Sequence, residues 1–333
     1  MHEKINLQDE SFRACLREQY DLNPVTLDCL SGGLDSNAAV YRVVSDQGAR
    51  YLLKVRSGIF HESGCLVPRY LQDLGIASVV APLPTTGNVL WTKFGERTVI
   101  LYPFIEGGTR WTGMVDKQWQ ELGTIFKQVH HASPPPFESL RRETFDPTEY
   151  ARWIRNFEAD SIHSQHSPSA SVQALCSCWK EHQSTIHAAV DALQTLGEAL
   201  QKRTFSYVIC HADLHPANLL RDPAGRVFVI DWDEVMLAPK ERDFIYIREP
   251  HAAAFFQGYG QAEIDWVSLA YYLWERVVQD LIACAKDVCF RNDFKEEAKA
   301  DAARLFHRVL AEDDTIAAAH AAEDHLPSGI KRR

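Results

Sequence analysis

Val208–Asp233 reads VICHADLHPANLLRDPAGRVFVIDWD, and the fold is most legible there. The apolar run Tyr207–Cys210 has the composition of a short strand and leads into a polar loop, His211–Asn218. Leu219-Leu220 and Val227–Ile230 read as two further strands. Between them, Asp222-Pro223-Ala224-Gly225 has turn chemistry, with proline presetting φ at the second position and glycine last. The hairpin so closed places Asn218, just before its first strand, near Asp231, just after its second. Asp213 lies on the loop five residues upstream of Asn218. Three oxygen-bearing side chains are therefore expected to converge on one edge.

That convergence suits phosphoryl transfer. Magnesium is a hard ion that takes oxygen ligands from one or two carboxylates, phosphates and water. Asp231 can supply a carboxylate and Asn218 a neutral oxygen. Asp213, left off the metal, can accept a hydrogen bond from an attacking hydroxyl and orient it in line. The spacing His-x-Asp-x-x-x-x-Asn alone occurs by chance. The same spacing after a strand, and before a hairpin ending in Ile230-Asp231-Trp232-Asp233, is far more specific than a polar loop with capping residues requires.

Upstream, residues 8–20 read as a helix with Phe12, Leu16 and Tyr20 at helical spacing. Val25–Leu30, Ala38–Val44 and Arg50–Val55 read as strands, the last two joined by the turn Ser45-Asp46-Gln47-Gly48. A helix over Glu62–Leu74 ends at Gly75. Asn88–Phe94 and Arg97–Tyr102 read as strands around Gly95. Past Gly107-Gly108 the pattern changes: Trp119, Leu122, Phe126 and Val129 share one face of a helix over Asp116–His130. Helices are expected over Pro147–Ala159, Ser171–Lys202, Ile264–Lys286 and Lys295–Ala311, and the tail beyond Asp314 is expected to fray. The class is α+β, with a β-rich lobe over 1–105 and a mainly helical lobe over 106–333.

A chain of 333 residues with 46% apolar content suits two lobes with ample core. The stretch MHEKINLQDE lacks the apolar segment of a secretory signal. No apolar run approaches the ~20 residues that span a bilayer. A soluble, cytoplasmic protein is expected. The net charge of −10 speaks against nucleic acid as a partner and tolerates a cationic substrate. Eight scattered cysteines, with no paired CxxC, read as reduced thiols of a cytosolic protein.

The motifs HADLHPAN and VIDWD resemble those of the aminoglycoside phosphotransferase and choline kinase superfamily, whose bilobal fold is related to protein kinases. The usual family form has glycine where this chain has Ala212 and Ala217. The resemblance implies ATP and Mg2+, with Asp213 catalytic and Asn218 and Asp231 on the metal. His211 and His215 match family histidines, and a structural role in holding the loop is expected of His211. Lys54, in YLLKV, resembles the lysine that contacts ATP phosphates. Glu62, near the start of the next helix, is its candidate partner. No Walker A sequence is present; instead Ser31–Asn37 reads as a turn over the phosphates, with Ser36 and Asn37 as donors. ILYPFIEGG, Ile100–Gly108, resembles the interlobe hinge. There the Pro103 carbonyl would accept from the adenine amino group and the Ile105 N–H would donate.

One branch is resembled in particular, the spectinomycin phosphotransferases, through LYPFI, DKQWQELG with its following Val129-His130, and IDWDEVMLAPKERDF. The resemblance implies transfer of the ATP γ-phosphate to a hydroxyl of a small cationic aminocyclitol or aminoglycoside, spectinomycin, and so antibiotic resistance, and the protein is expected to act as a monomer or weak dimer. A dication calls for carboxylates and aromatic faces. Asp233 and Glu234 follow the metal aspartate, and Glu275 and Asp280 lie on an aromatic-rich helix, where solvated charges or a pair with Arg276 are the alternative. Asp243 is expected to tie the metal loop. Competing functions are a choline, homoserine or methylthioribose kinase on the same scaffold, or an inactive nucleotide-binding pseudokinase. Protein kinase activity fits poorly, since GxGxxG, HRD and DFG are missing.

Overall fold

The computed structural model describes residues 10–30, 38–109, 113–137, 139–162, 169–311 and 314–330. Helix α1 (Glu10–Tyr20) precedes strands β1 (Pro24–Cys29), β2 (Ala38–Ser45) and β3 (Arg50–Arg56). Helix α2 (Ser63–Asp73) leads to β4 (Thr92–Phe94), β5 (Arg97–Pro103) and β6 (Gly108–Thr109). Next come α3 (Asp116–His131), β7 (Arg141–Arg142), α4 (Thr148–Phe157), which runs into a π-helical turn at Glu158–Ile162, α5 (Ala170–Glu181) and α6 (Gln183–Gln201). Then follow β8 (Val208–Cys210), a 3-10 turn (Pro216–Asn218), β9 (Leu219–Arg221), β10 (Val227–Val229), β11 (Met236–Ala238) and a 3-10 turn (Lys240–Phe244). Helices α7 (Ala252–Tyr259), α8 (Trp266–Cys289), α9 (Glu296–Ala311) and α10 (Asp314–Glu323) complete the chain.

Packing divides the chain into two compact units, Met1–Arg142 with Tyr207–Ala262, and Glu143–Ser206 with Glu263–Arg333. A single cut after Ile105 is not where this division falls. Strand β10 is stitched to the segment after α2: Val229 N–H donates to Ser78 O at 2.8 Å, and Val80 N–H to Val229 O at 3.0 Å. The hairpin thereby joins the same unit as the first sheet.

That sheet is antiparallel, in the order β1-β2-β3-β5-β4. Strand alternation sorts its side chains. Leu53 and Val55 on β3, and Val99 and Leu101 on β5, pack with Phe12 and Leu16 of α1. Ile100 and Tyr102 on β5 face the other way, with Cys65 of α2. Lys54 lies between Leu53 and Val55 and opposite Ile100 in register, so it too turns to the second face. Two three-stranded sheets, β10-β9-β6 and β7-β11-β8, hold the hairpin and the strand before the polar loop.

In the second unit, α8 packs against α6, α9 and α10. Asp265 caps α8, accepting from Val267 N–H at 3.1 Å, and pairs with Arg203 at 2.6 Å. The tail does not fray as expected. Thr315, Ala319 and Ala322 of α10 are buried, and Glu323 accepts from the Trp274 indole at 2.8 Å. Small alanines give α10 a face that seats closely on α8. Among the described residues, no helix is long and apolar enough to cross a membrane.

Candidate active site

Strand β8 ends at Cys210, and the loop after it is fixed at its first two residues. Asp243 is fully buried, and its two oxygens accept from the backbone N–H groups of His211, at 2.9 Å, and Ala212, at 2.8 Å. Behind Asp243 stands a buried chain of side chains. The Tyr259 hydroxyl lies 2.9 Å from His130 Nδ1, and His130 Nε2 lies 3.0 Å from Asp243 Oδ2. This pattern places the His130 proton on Nε2, toward the carboxylate. His130 falls within the Val129-His130 stretch of the sequence, but its partners Tyr259 and Asp243 lie over a hundred residues away.

His211, fully buried, joins the loop to the hairpin. Its Nδ1 accepts from Asp213 N–H at 3.3 Å, and its Nε2 reaches Ile230 O at 2.9 Å. The ring also packs on Trp232, with centroids 4.7 Å apart. His215 accepts from Ala217 N–H through Nδ1 and presents Nε2 to Asp213 Oδ2 at 3.3 Å. Asn218 donates through Nδ2 to Asp213 O at 2.8 Å and reaches Asp213 Oδ2 at 3.3 Å. That leaves its Oδ1 as the atom to offer a cation. Asn218 O accepts from Ile230 N–H at 3.0 Å, which sets Asn218 beside the chain at Asp231. Asp213, Asn218 and Asp231 are thus brought to one edge, linked through His211 and this backbone bond.

Lys54 closes the group. Its Nζ lies 2.9 Å from Asp231 Oδ1 and 2.7 Å from Asp233 Oδ2. Arg56 also donates to Asp233. Burial works against the Lys54 charge, but the Asp231 and Asp233 carboxylates outweigh it, so the pKa is raised. Glu62 is not the partner expected. It is exposed at the start of α2, while the buried side of that turn carries Ser63, Gly64 and Cys65. Burial, with Asp233 nearby, pushes the Cys65 thiol up to about 12.

Above the hairpin lies a cavity of about 140 Å³, lined by Val40, Leu52, Lys54, Val80, Tyr102, Pro103, Ile105, Leu220, Ile230 and Asp231. Pro103 and Ile105 are both among its lining residues. Gly107 carries the chain past β9 at φ +154°, where an added Cβ would stand 2.1 Å from Arg221 O. Ser36 and Asn37 lie outside the described residues. Sequence reading did not single out Arg56 or Tyr102, since an arginine at a strand end and an aromatic within one are ordinary.

Of the acidic residues expected at the acceptor, Asp233 is instead taken up by Lys54 and Arg56. Glu234 pairs with Arg141 at 2.8 Å and is half exposed. In the second unit, Glu275 is buried near the Tyr150 hydroxyl at 3.4 Å, and Asp280 pairs with Arg276 at 3.0 Å. His130, Cys210 and Asp243 have ligand atoms within 4.8 Å of one another. Both Asp243 oxygens are committed to loop N–H groups and the Cys210 thiol points at the Ala238 and Pro239 carbonyls, so a cation would have to dismantle the loop's anchor. All eight cysteines are free thiols.

A strand, a pinned polar loop with Asp213, a hairpin carrying Asp231 and a strand lysine together define a kinase-like phosphotransferase site. The chain belongs to the phosphotransferase enzyme family, which matches residues 30–276. It is therefore an enzyme that transfers phosphate to hydroxyl groups. Among solved structures, it is similar to spectinomycin phosphotransferase in complex with ADP and spectinomycin, at 29% identity and a TM-score of 0.86, covering 96% of this chain and 99% of that one. The AMP-bound complex of spectinomycin phosphotransferase gives 26% identity and 0.81, covering 94% and 98%. An amicoumacin kinase in complex with AMP-PNP, Ca2+ and Ami, at 16% identity and 0.62 over 93% and 96%, shares the fold. No curated protein matches the chain.

Proposed function

We propose that this enzyme moves the γ-phosphate of ATP to a hydroxyl of a small cationic aminocyclitol, with spectinomycin as the acceptor. The observation that carries the reading is the Asp213–Asn218–Asp231–Lys54 group, set in a chain similar over nearly its whole length to a spectinomycin phosphotransferase. Asp213, oriented by His215 and Asn218, accepts the hydrogen bond of the attacking hydroxyl and takes its proton as the new P–O bond forms. The bond broken is that between the γ-phosphorus and the bridging oxygen, and ADP carries that electron pair away. Lys54 offsets charge on the phosphates. The purine lies in the apolar cavity, against the Pro103 carbonyl and the Ile105 N–H.

The donors suit Mg2+: one carboxylate, Asp231, 39% exposed, and one amide oxygen, Asn218, both hard ligands. When bound, the ion neutralises charge on the phosphates. Glu234, 54% exposed though paired with Arg141, is the carboxylate proposed for an ammonium group of the acceptor. Mass spectrometry after incubation with ATP and Mg2+ tests the acceptor. Spectinomycin should gain one phosphoryl group, while choline, homoserine and methylthioribose should not. Phosphorylation of homoserine with spectinomycin untouched would reject the assignment.

A further inference from the structure

We infer that Asp233 anchors the nucleotide-binding lysine, in the place that α2 leaves without a carboxylate, and that Arg56 holds Asp233 in turn. The inference rests on the phosphotransferase reading and concerns how its lysine is positioned.

Lys54 bridges two carboxylates that are unlike. Asp231 is 39% exposed, whereas Asp233 is 19% exposed and meets two cations, Lys54 and Arg56. Lys54 and Arg56 are two residues apart on β3, so they share a strand face and reach the same Asp233 oxygen. The Arg56 guanidinium is itself fixed, since its Nε donates to Ile59 O at 3.1 Å.

The start of α2 explains why no helix carboxylate competes. Gly64 packs directly on the 232–233 backbone: an added Cβ would lie 3.1 Å from Asp233 Cα and 3.3 Å from its Oδ1. A side chain at position 64 would have to displace that backbone, and Glu62 faces solvent. The N-terminal end of a helix also favours a nearby anion, which suits Asp233. Asp231 and Asp233 therefore divide the work. Asp231 is open to a metal-bound polyphosphate; Asp233 is enclosed. When phosphate oxygens replace Asp231 around Lys54, Asp233 keeps Nζ in place, and the buried ammonium is never left without a carboxylate.

Calorimetry of ADP binding to the full chain, with and without Mg2+, tests this alongside the Mg2+ requirement for ATP turnover. Asp233→Asn should weaken ADP roughly 10- to 100-fold, the scale of a hydrogen bond to a charged group, in both metal conditions. Its half-saturating Mg2+ should stay at the wild-type value. Arg56→Gln should shift affinity the same way by roughly 3- to 10-fold, and Asp233→Glu, which keeps the charge, should recover part of the loss. The glutamate variant is read independently should the asparagine variant fold poorly. Wild-type affinity in Asp233→Asn overturns the anchor and leaves the phosphotransferase reading standing. A raised Mg2+ requirement with metal-free ADP binding intact makes Asp233 a metal ligand and also overturns it. A loss on Glu62→Gln with none on Asp233→Asn returns the anchor to α2. A wild-type chain that binds no nucleotide removes both readings.

Discussion

Ala212 sits at φ +69°, in the left-handed region where a Cβ crowds the following carbonyl. It stays there because Asp243 grips its N–H and that of His211. Ala212→Gly should relieve about 1–2 kcal/mol of strain and give back part of it through the freer unfolded chain. A net gain of about 0.5–1 kcal/mol is expected in urea denaturation, and a destabilised variant would contradict the strain argument. One residue on, Asp213→Asn should cut turnover roughly 10²–10⁴-fold with nucleotide affinity nearly unchanged. Steady-state rates near wild type would remove Asp213 from its role. At this scale the sequence was informative where chemistry is local. The family glycine replaced by Ala212 was visible as a departure, though its φ was not. Lys54 was visible as a charge among apolar neighbours, but its partner was chosen by nearness along the chain. The carboxylates that hold it lie 177 and 179 residues away.

Helices α3 and α7 cross on two glycines. A Cβ added at Gly123 would lie 2.0 Å from Phe255 O, and one at Gly258 would lie 1.8 Å from Gln120 O. Each helix thus presses backbone into the other. The approach seats His130, seven residues beyond Gly123 and on the same face, against Tyr259 and Asp243. Gly258→Ala should force the pair apart and cost about 1–3 kcal/mol, as overpacking does. Turnover should fall as well, measured well below the melting temperature, because the Asp243 grip on the Asp213 loop loosens. Unchanged stability and turnover would mean the crossing is slack. Long helices and the first sheet could be read from periodicity. Strands β6, β7 and β11 could not: at two or three residues, they exist only because a partner strand is present. The stretch 171–202 reads as one helix, yet α5 ends at His182, whose N–H and Nδ1 both turn to Cys178 O.

Cys65 and Cys210 in the first unit and Cys284 in the second, three of the four buried thiols, share one consequence of being enclosed. Burial pushes Cys65 and Cys284 up to about 12, and Cys210 well above the ordinary thiol value of 9.0. Well below pH 9, folded and unfolded chains both hold these protons, and stability is unaffected. Above it, the unfolded chain releases them while the native chain does not, so the unfolded state gains and stability falls as pH rises. Each thiol should cost about 1 kcal/mol between pH 9 and 10, or about 3 kcal/mol together. Lys54 acts in the same sense at higher pH, since its raised pKa preserves a stabilising charge that is lost only as pH climbs through the folded value. Urea midpoints should therefore fall slightly from pH 8 to 9 and about three times as far from pH 9 to 10, with the transition slope unchanged. Cys284→Ala should remove about 1 kcal/mol of the drop between pH 9 and 10, because one proton site held in the native chain is gone. A midpoint that holds level from pH 8 to 10 would mean that these thiols meet solvent in the native chain, and that the two cores are looser than their packing implies.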